Sequence, residues 1–300
     1  MTKIIAMYLP QYYETKENSI WWGEGYTDWK AVKNAKSLFQ GHRQPRVPLD
    51  NNYYDLSNVD DIRKQAKLAH DYGIYGFGIY HYWFSSKQNL LTTPPKLLHE
   101  DASININYFF TWDNGSWKRT WSNVKFSNSW APLYENSGNG PEILAKLEYG
   151  NESDWKEHFN YLLPFFKDER YIKLNGKPLF GVFNQDNEPK ILKRMFDYWN
   201  ELARANGFPG VCILGRSNQS KIVVADYQFD YEPCTHGWLG KSKGQRVVYK
   251  FRDYCRLKFK LLKKYSYSAV WNRIIKDVSD DKHYLPGAFV RYDDTPRRGR

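Results

Sequence analysis

The sequence predicts an α/β protein built as a (β/α)8 TIM-type barrel, with seven of the eight strands carried in one domain over residues 1–300. Three observations carry this expectation. Apolar runs of strand length alternate with stretches of helical period seven times. Aromatic, amide and carboxylate residues gather where those runs end, and a barrel presents its site at the C-terminal ends of its strands. No glycine-rich phosphate loop of either common pattern follows a strand, which weakens the rival doubly wound sheet.

The first strand is read over 3–10, KIIAMYLP, with Tyr8 and Gln11 at its exit. A long loop follows, carrying Trp21, Trp22, Asp28 and Trp29. It is too rich in rings for a disordered segment and long enough to be functional. Ser57 is the expected cap of the next helix, with Asp60 reaching back to it; Val59, Ile62, Ala66 and Ala69 then recur at helical spacing up to Gly73. The second strand, 75–83, holds two glycines that admit a close neighbour, and it exits through His81, Tyr82 and Trp83. A short helix near 95–100 leads to the third strand, 104–112. That strand runs out of a buried aromatic stretch into Trp112-Asp113-Asn114-Gly115-Ser116-Trp117.

A helix near 155–166 and a turn at Asn175-Gly176 precede the fourth strand, 178–184. Pro189 opens a helix with Leu192, Met195, Phe196 and Trp199 on one side, closed by Asn206-Gly207. The remaining strands are expected at 211–215, at 227–231 ending on Glu232-Pro233, and at 287–291 exiting into Tyr292-Asp293-Asp294.

Composition narrows the function. Mean hydropathy is −0.74 and no apolar run approaches the ~20 residues of a membrane span. The N-terminus turns polar at once, so a signal peptide is not expected. Three widely spaced cysteines form neither a disulfide framework nor a zinc pattern, and a cytoplasmic protein with free thiols is the plain expectation. The net charge of +11 is concentrated late, within 246–276. That stretch suits either a solvated basic helix with an aromatic underside or contact with an anionic membrane surface. Nucleic acid is not expected as a partner, because no reading motif accompanies the charge.

Chemistry follows by elimination. His70, His81, His99, His158 and His236 are scattered, and no G-x-S-x-G is present, so no metal, cofactor or serine nucleophile is expected. Saccharide binding fits better: rings stack on pyranose faces, amides and carboxylates grip hydroxyls, and glycosidic chemistry needs paired carboxyl groups. Carboxylates at strand exits are Asp28, Asp113, Glu232, Asp293 and Asp294, although each could serve a turn or a cap. Glu232 and Asp294 are taken as the catalytic pair. Tyr8, Gln11, Trp22, Asp28, His81, Tyr82, Trp83, Trp112, Asn114 and Trp117 are taken as substrate-binding residues. For His81 the alternative is a hydrogen-bonded core histidine.

The segments AMYLPQYY (6–13), WWGEGYTDW (21–29), LFQGHRQPRVPLD (38–50), YGIYGFGIYHYWF (72–84), TWDNGSWKRTW (111–121), LLPFFKDERYIKLNGKPLF (162–180) and YDDTPRR (292–298) together resemble the WbsX-type glycosyltransferase family of bacterial surface-polysaccharide loci. That resemblance implies kinship with endo-α-mannosidase-like glycoside hydrolases, a (β/α)8 barrel, an oligosaccharide or lipid-linked glycan as partner, and a role in O-antigen, lipopolysaccharide or capsule assembly. Two departures stand out. The family's W-A-N-E-N-W motif reads Trp112-Asp113-Asn114-Gly115-Ser116-Trp117 here, and its final W-N-E-W-x-E-G motif, whose two glutamates correspond to the mannosidases' acid pair, is not in this sequence. A non-catalytic oligosaccharide-binding protein or an inactive shortened form is therefore the alternative expectation.

Overall fold

A computed structural model describes residues 2–118, 142–217, 224–239 and 266–298, with isolated positions between 247 and 259. Among the described residues, seven strands form the parallel path of the central sheet: β1 (Ile4–Tyr8), β2 (Ile74–Ser85), β3 (Asn107–Trp112), β4 (Lys177–Val182), β5 (Cys212–Arg216), β6 (Tyr227–Phe229) and β7 (Tyr284–Leu285). Each pairs in parallel with the next, so spatial order is chain order, with β1 and β7 at the two edges among the described residues. A parallel sheet wound in one direction, with helices in its crossovers, is an incomplete (β/α)8 barrel.

Covering helices account for the apolar runs. Strands β3 and β4 are buried at every position but their first, as a sheet packed on both faces requires. Helix α5 (Glu152–Lys167) starts from a capping box at Asn151 and Asp154 and buries Trp155, Phe159, Leu162 and Phe166. Helix α6 (Pro189–Ala205) buries Leu192, Met195, Phe196 and Trp199. The two helices lock through Trp199 Nε1, which donates to the Trp155 carbonyl at 2.8 Å. Ahead of β2, α3 (Val59–Asp71) is capped by Asn58 and not by Ser57, whose hydroxyl instead donates to Asp55 at 2.6 Å.

The seventh strand lies earlier than expected. Tyr284 and Leu285 pair with Gln228 and Phe229, while 286–291 run on without strand pairing. Most of the basic stretch up to residue 265 lies outside the described residues. Its last part is a helix, Tyr267–Lys276, that buries Val270 and Ile274. No described helix is long and apolar enough to cross a membrane.

The β2 glycines are a packing requirement. A Cβ on Gly76 would sit 2.6 Å from the carbonyl oxygen of Asn107, and one on Gly78 would sit 2.9 Å from Met7 Sδ. The first obstacle is main chain and cannot swing aside. Gly76→Ala is therefore expected to destabilise the fold by ~1–3 kcal/mol, the usual cost of overpacking. A urea-unfolding midpoint equal to that of the wild type would contradict this.

Candidate active site

At the C-terminal ends of the strands lies a cleft of about 790 Å³. Its wall is built in chain order. Beyond β1 come Gln11 and Tyr12; the loop helices α1 (Lys16–Trp22) and α2 (Asp28–Lys33) bring Trp22, Tyr26 and Asp28. Strand β2 gives Tyr80 and Tyr82, and the exit of β3 gives Asp113 and Trp117. Tyr231 follows β6, and Asp294 and Arg297 follow β7, the latter on the short helix Thr295–Arg298.

The polar groups are held by defined partners. Tyr80 Oη donates to Tyr231 Oη at 2.5 Å, joining β2 to the far side of the barrel. The Tyr82 ring meets Trp117 edge-on, centroids 4.9 Å apart. Burial pushes both Tyr80 and Tyr82 phenols well up, so they are neutral hydroxyl groups. Asp28 is 4% exposed and pairs with Arg297, Nε to Oδ1 at 3.4 Å. Burial raises its pKa, against the pull of the Arg297 charge and of the Gln11 side chain.

Asp113 differs from the other cleft carboxylates. Its main-chain N–H donates to the His81 carbonyl at 3.0 Å, which extends the β2–β3 ladder and fixes the side chain at the strand's exit. Burial pushes its pKa up to about 6, with the Arg216 guanidinium drawing it partly back. A carboxyl group in that range exchanges a proton near neutral pH.

Of the residues expected at the site, Gln11, Trp22, Asp28, Tyr82, Trp117 and Asp294 line this cleft. Tyr8, His81, Trp83 and Trp112 lie on the opposite face of the sheet, and strand alternation is the reason. Tyr80 and Tyr82 point inward, so His81 and Trp83 point to the helices. Register carries the same side across the ladder, with His81 beside Trp112 and Tyr8 beside Ile79. Tyr8 donates to Gln65 on α3 at 2.7 Å and stacks on Phe77. The His81 and His158 Nε2 atoms are 2.8 Å apart within the core, and desolvation lowers the His81 pKa to about 3. The Trp83 ring lies flat on His158 at 4.4 Å, and Trp112 Nε1 donates to the Trp83 carbonyl. These four are core residues.

Two further positions differ from expectation. Asn114 is fully buried and rivets the loops after β3 and β4, donating to the Asn184 carbonyl and to Tyr149 Oη and accepting from the Asn184 N–H at 2.8 Å. Glu232 turns away from the cleft; its carboxylate is hydrogen-bonded by the His236 ring and main-chain N–H. Asp113, a strand-exit carboxylate left out of the chosen pair, lines the cleft, and so do Tyr80, Tyr231 and Arg297, which were not chosen. Counting in twos along β2 would have found Tyr80.

The Asp113 environment is directly testable. Carboxyl-carbon NMR is expected to show one aspartate titrating near 6, and Arg216→Gln is expected to move that midpoint upward, since the guanidinium holds it down. A midpoint in the ordinary aspartate range of about 4, unchanged by the substitution, would contradict the assignment.

Comparison with known proteins shows what this chain is similar to. Two curated proteins described as "Uncharacterized protein WxcX", from Xanthomonas campestris pv. campestris strains B100 and ATCC 33913, are 31% identical over 204 residues. The match covers 68% of this chain and 27% of theirs, so it spans about a quarter of those relatives' length. Among solved structures, the GH99 endo-α-mannosidase of Bacteroides thetaiotaomicron is similar at TM-score 0.47 and 13% identity, over 86% of this chain and 69% of that one. Its complex with bis-tris-propane gives 0.46 and 14%, over 86% and 67%. The profile of the family described as "Glycosyltransferase WbsX" matches residues 4–300, and the chain belongs to that family.

Proposed function

We propose that this chain acts on the glycosidic bonds of an oligosaccharide, with Asp113 as the group that moves the proton. The observation that carries this reading is a carboxyl group with pKa about 6 at a barrel strand's exit, inside a cleft walled by Trp22, Trp117 and tyrosines. Such a group can protonate a departing glycosidic oxygen and then take a proton from the incoming hydroxyl. Asp294, from the segment after β7, is the second carboxylate of the pair. Trp117 stacks on a sugar face, the buried Trp22 backs the cleft wall, and the Asp28–Arg297 pair and Gln11 orient hydroxyls. Glu232, with its carboxylate engaged by His236, takes no part in the transfer.

The wider setting belongs to the same proposal. The family supports a role in bacterial surface-polysaccharide assembly, either O-antigen or capsule, on a lipid-linked glycan. Three free cysteines support a cytoplasmic location. The charge of 246–276 supports contact with an anionic membrane surface. One main sheet packed around one core cluster among the described residues supports one domain over 1–300.

A second reading, saccharide binding without turnover, is favoured by the withdrawal of Glu232 from the cleft. The two separate on one experiment. Against a panel of surface-polysaccharide oligosaccharides, Asp113→Asn is expected to lower turnover by ~10²–10⁴-fold, the usual worth of an acid–base group. Its affinity should stay near that of the wild type, while Trp117→Ala weakens binding. Wild-type turnover in the Asp113→Asn variant would overturn the assignment. Binding with no product from either protein would establish the second reading.

A further inference from the structure

We propose that Asp230, Glu232 and His236 form a buried centre for a zinc-class divalent cation, behind the cleft wall and independent of the reaction proposed above. One ligand atom from each residue lies within 4.8 Å of the others. The local fold makes the arrangement. Asp230 and Glu232 follow β6 two residues apart, on the side opposite Tyr231, which faces the cleft. His236 returns to them on the π-helical turn Cys234–Leu239.

The way the ligand atoms are disposed points to an ion. Asp230 Oδ1 accepts from the Ser217 hydroxyl, leaving Oδ2 toward the imidazole, 4.0 Å from His236 Nδ1. Glu232 Oε2 accepts from the main-chain N–H of His236 at 3.2 Å, leaving Oε1 toward the same ring nitrogen. His236 Nε2 faces Asp277 Oδ2 at 3.7 Å, which leaves Nδ1 to point inward. A carboxylate behind an imidazole is how proteins fix the tautomer of a ligating histidine. Asp230, Glu232 and His236 thus each turn one atom toward a common point, with Asp230 Oδ1 and Glu232 Oε2 held by hydrogen bonds.

Charge gives the same answer. The Asp230 and Glu232 side chains are 3% and 0% exposed. Among the described residues no lysine or arginine pairs with either. Arg273 reaches the cluster but donates its Nε to the His236 carbonyl. Two carboxylates with a neutral imidazole carry two negative charges, which one divalent ion balances. On binding, the ion replaces the proton shared by Glu232 and His236. The imidazole nitrogen and the count of three ligands suit zinc over the all-oxygen, higher-coordinate sites of calcium and magnesium. Zinc bonds of ~2.0–2.1 Å need ligand atoms ~3.4 Å apart, so Asp230 and His236, 4.0 Å apart, would close by about 0.6 Å while the hydrogen-bonded Glu232–His236 pair would open to admit the ion. The half-exposed Asp277 marks the way in from solvent.

The test uses the full chain without an affinity tag, equilibrated with zinc sulfate, desalted and analysed by plasma mass spectrometry. About one zinc per chain is expected, reduced at least tenfold by Glu232→Gln or His236→Gln and retained by a control, His283→Ala, at an exposed histidine. Asp277→Asn, at a half-exposed position that leaves the core untouched, is expected to weaken zinc affinity by ~10–100-fold. In parallel, cobalt(II) should give visible absorption bands in the wild type that Glu232→Gln abolishes. A folded wild-type chain retaining less than about a tenth of an equivalent, or a Glu232→Gln chain retaining as much as the wild type, would overturn the proposal.

Discussion

Side-chain alternation on a curled parallel sheet is the constraint on which this structure rests. In β2, residues 78, 80 and 82 face the barrel interior, and 77, 79, 81 and 83 face the helices. Pairing in register carries that division to β1 and β3, because His81 lies beside Trp112 and Tyr80 beside Thr111. Asp113 extends the inward side of Thr111 one step past the strand. The same rule that places Tyr80, Tyr82 and Asp113 at the cleft therefore commits Tyr8, His81, Trp83 and Trp112 to the core.

This division explains what could and could not be read in the sequence. The order and type of the strands were legible, because each is an apolar run bounded by turns and separated by an amphipathic helix. The cleft's loop residues Gln11, Trp22 and Asp28 were legible as polar and aromatic groups beyond a strand's end. The side of the sheet was not read, and aromatic richness is no guide to it: both faces of this sheet are lined with rings. His81 shows the difficulty. Its surroundings, Trp83, Phe110, His158 and Tyr161, are rings gathered from β2, β3 and α5, and nothing in the local sequence distinguishes that cage from a sugar platform. The seventh strand was misplaced because Tyr284 and Leu285 alone form it, too short a run for periodicity to reveal.

Electrostatics separates the carboxylates that composition treats alike. Asp28 is paired with Arg297, Glu232 is hydrogen-bonded by His236, and Asp293 is held by His42, Gln44 and Arg46 from the first long loop. Those contacts also tie the segment after β7 back to the loop after β1, next to the opening between the sheet's two edges. Asp113, at the cleft wall, has its pKa raised by partial burial and drawn back only in part by the Arg216 guanidinium. Chemistry and architecture are thus divided among acidic residues by their partners, and such partners come from parts of the chain up to 269 positions away, as with Asp28 and Arg297.

The most direct test of the curled sheet is a double-mutant cycle on Tyr80→Phe and Tyr231→Phe, read by denaturant unfolding. Three strands separate β2 from β6, so these two hydroxyl groups meet only if the sheet bends round to face itself. A coupling energy of ~0.5–1.5 kcal/mol is expected for their hydrogen bond. Additive effects with no measurable coupling would mean that the inward-facing side chains do not share one cleft.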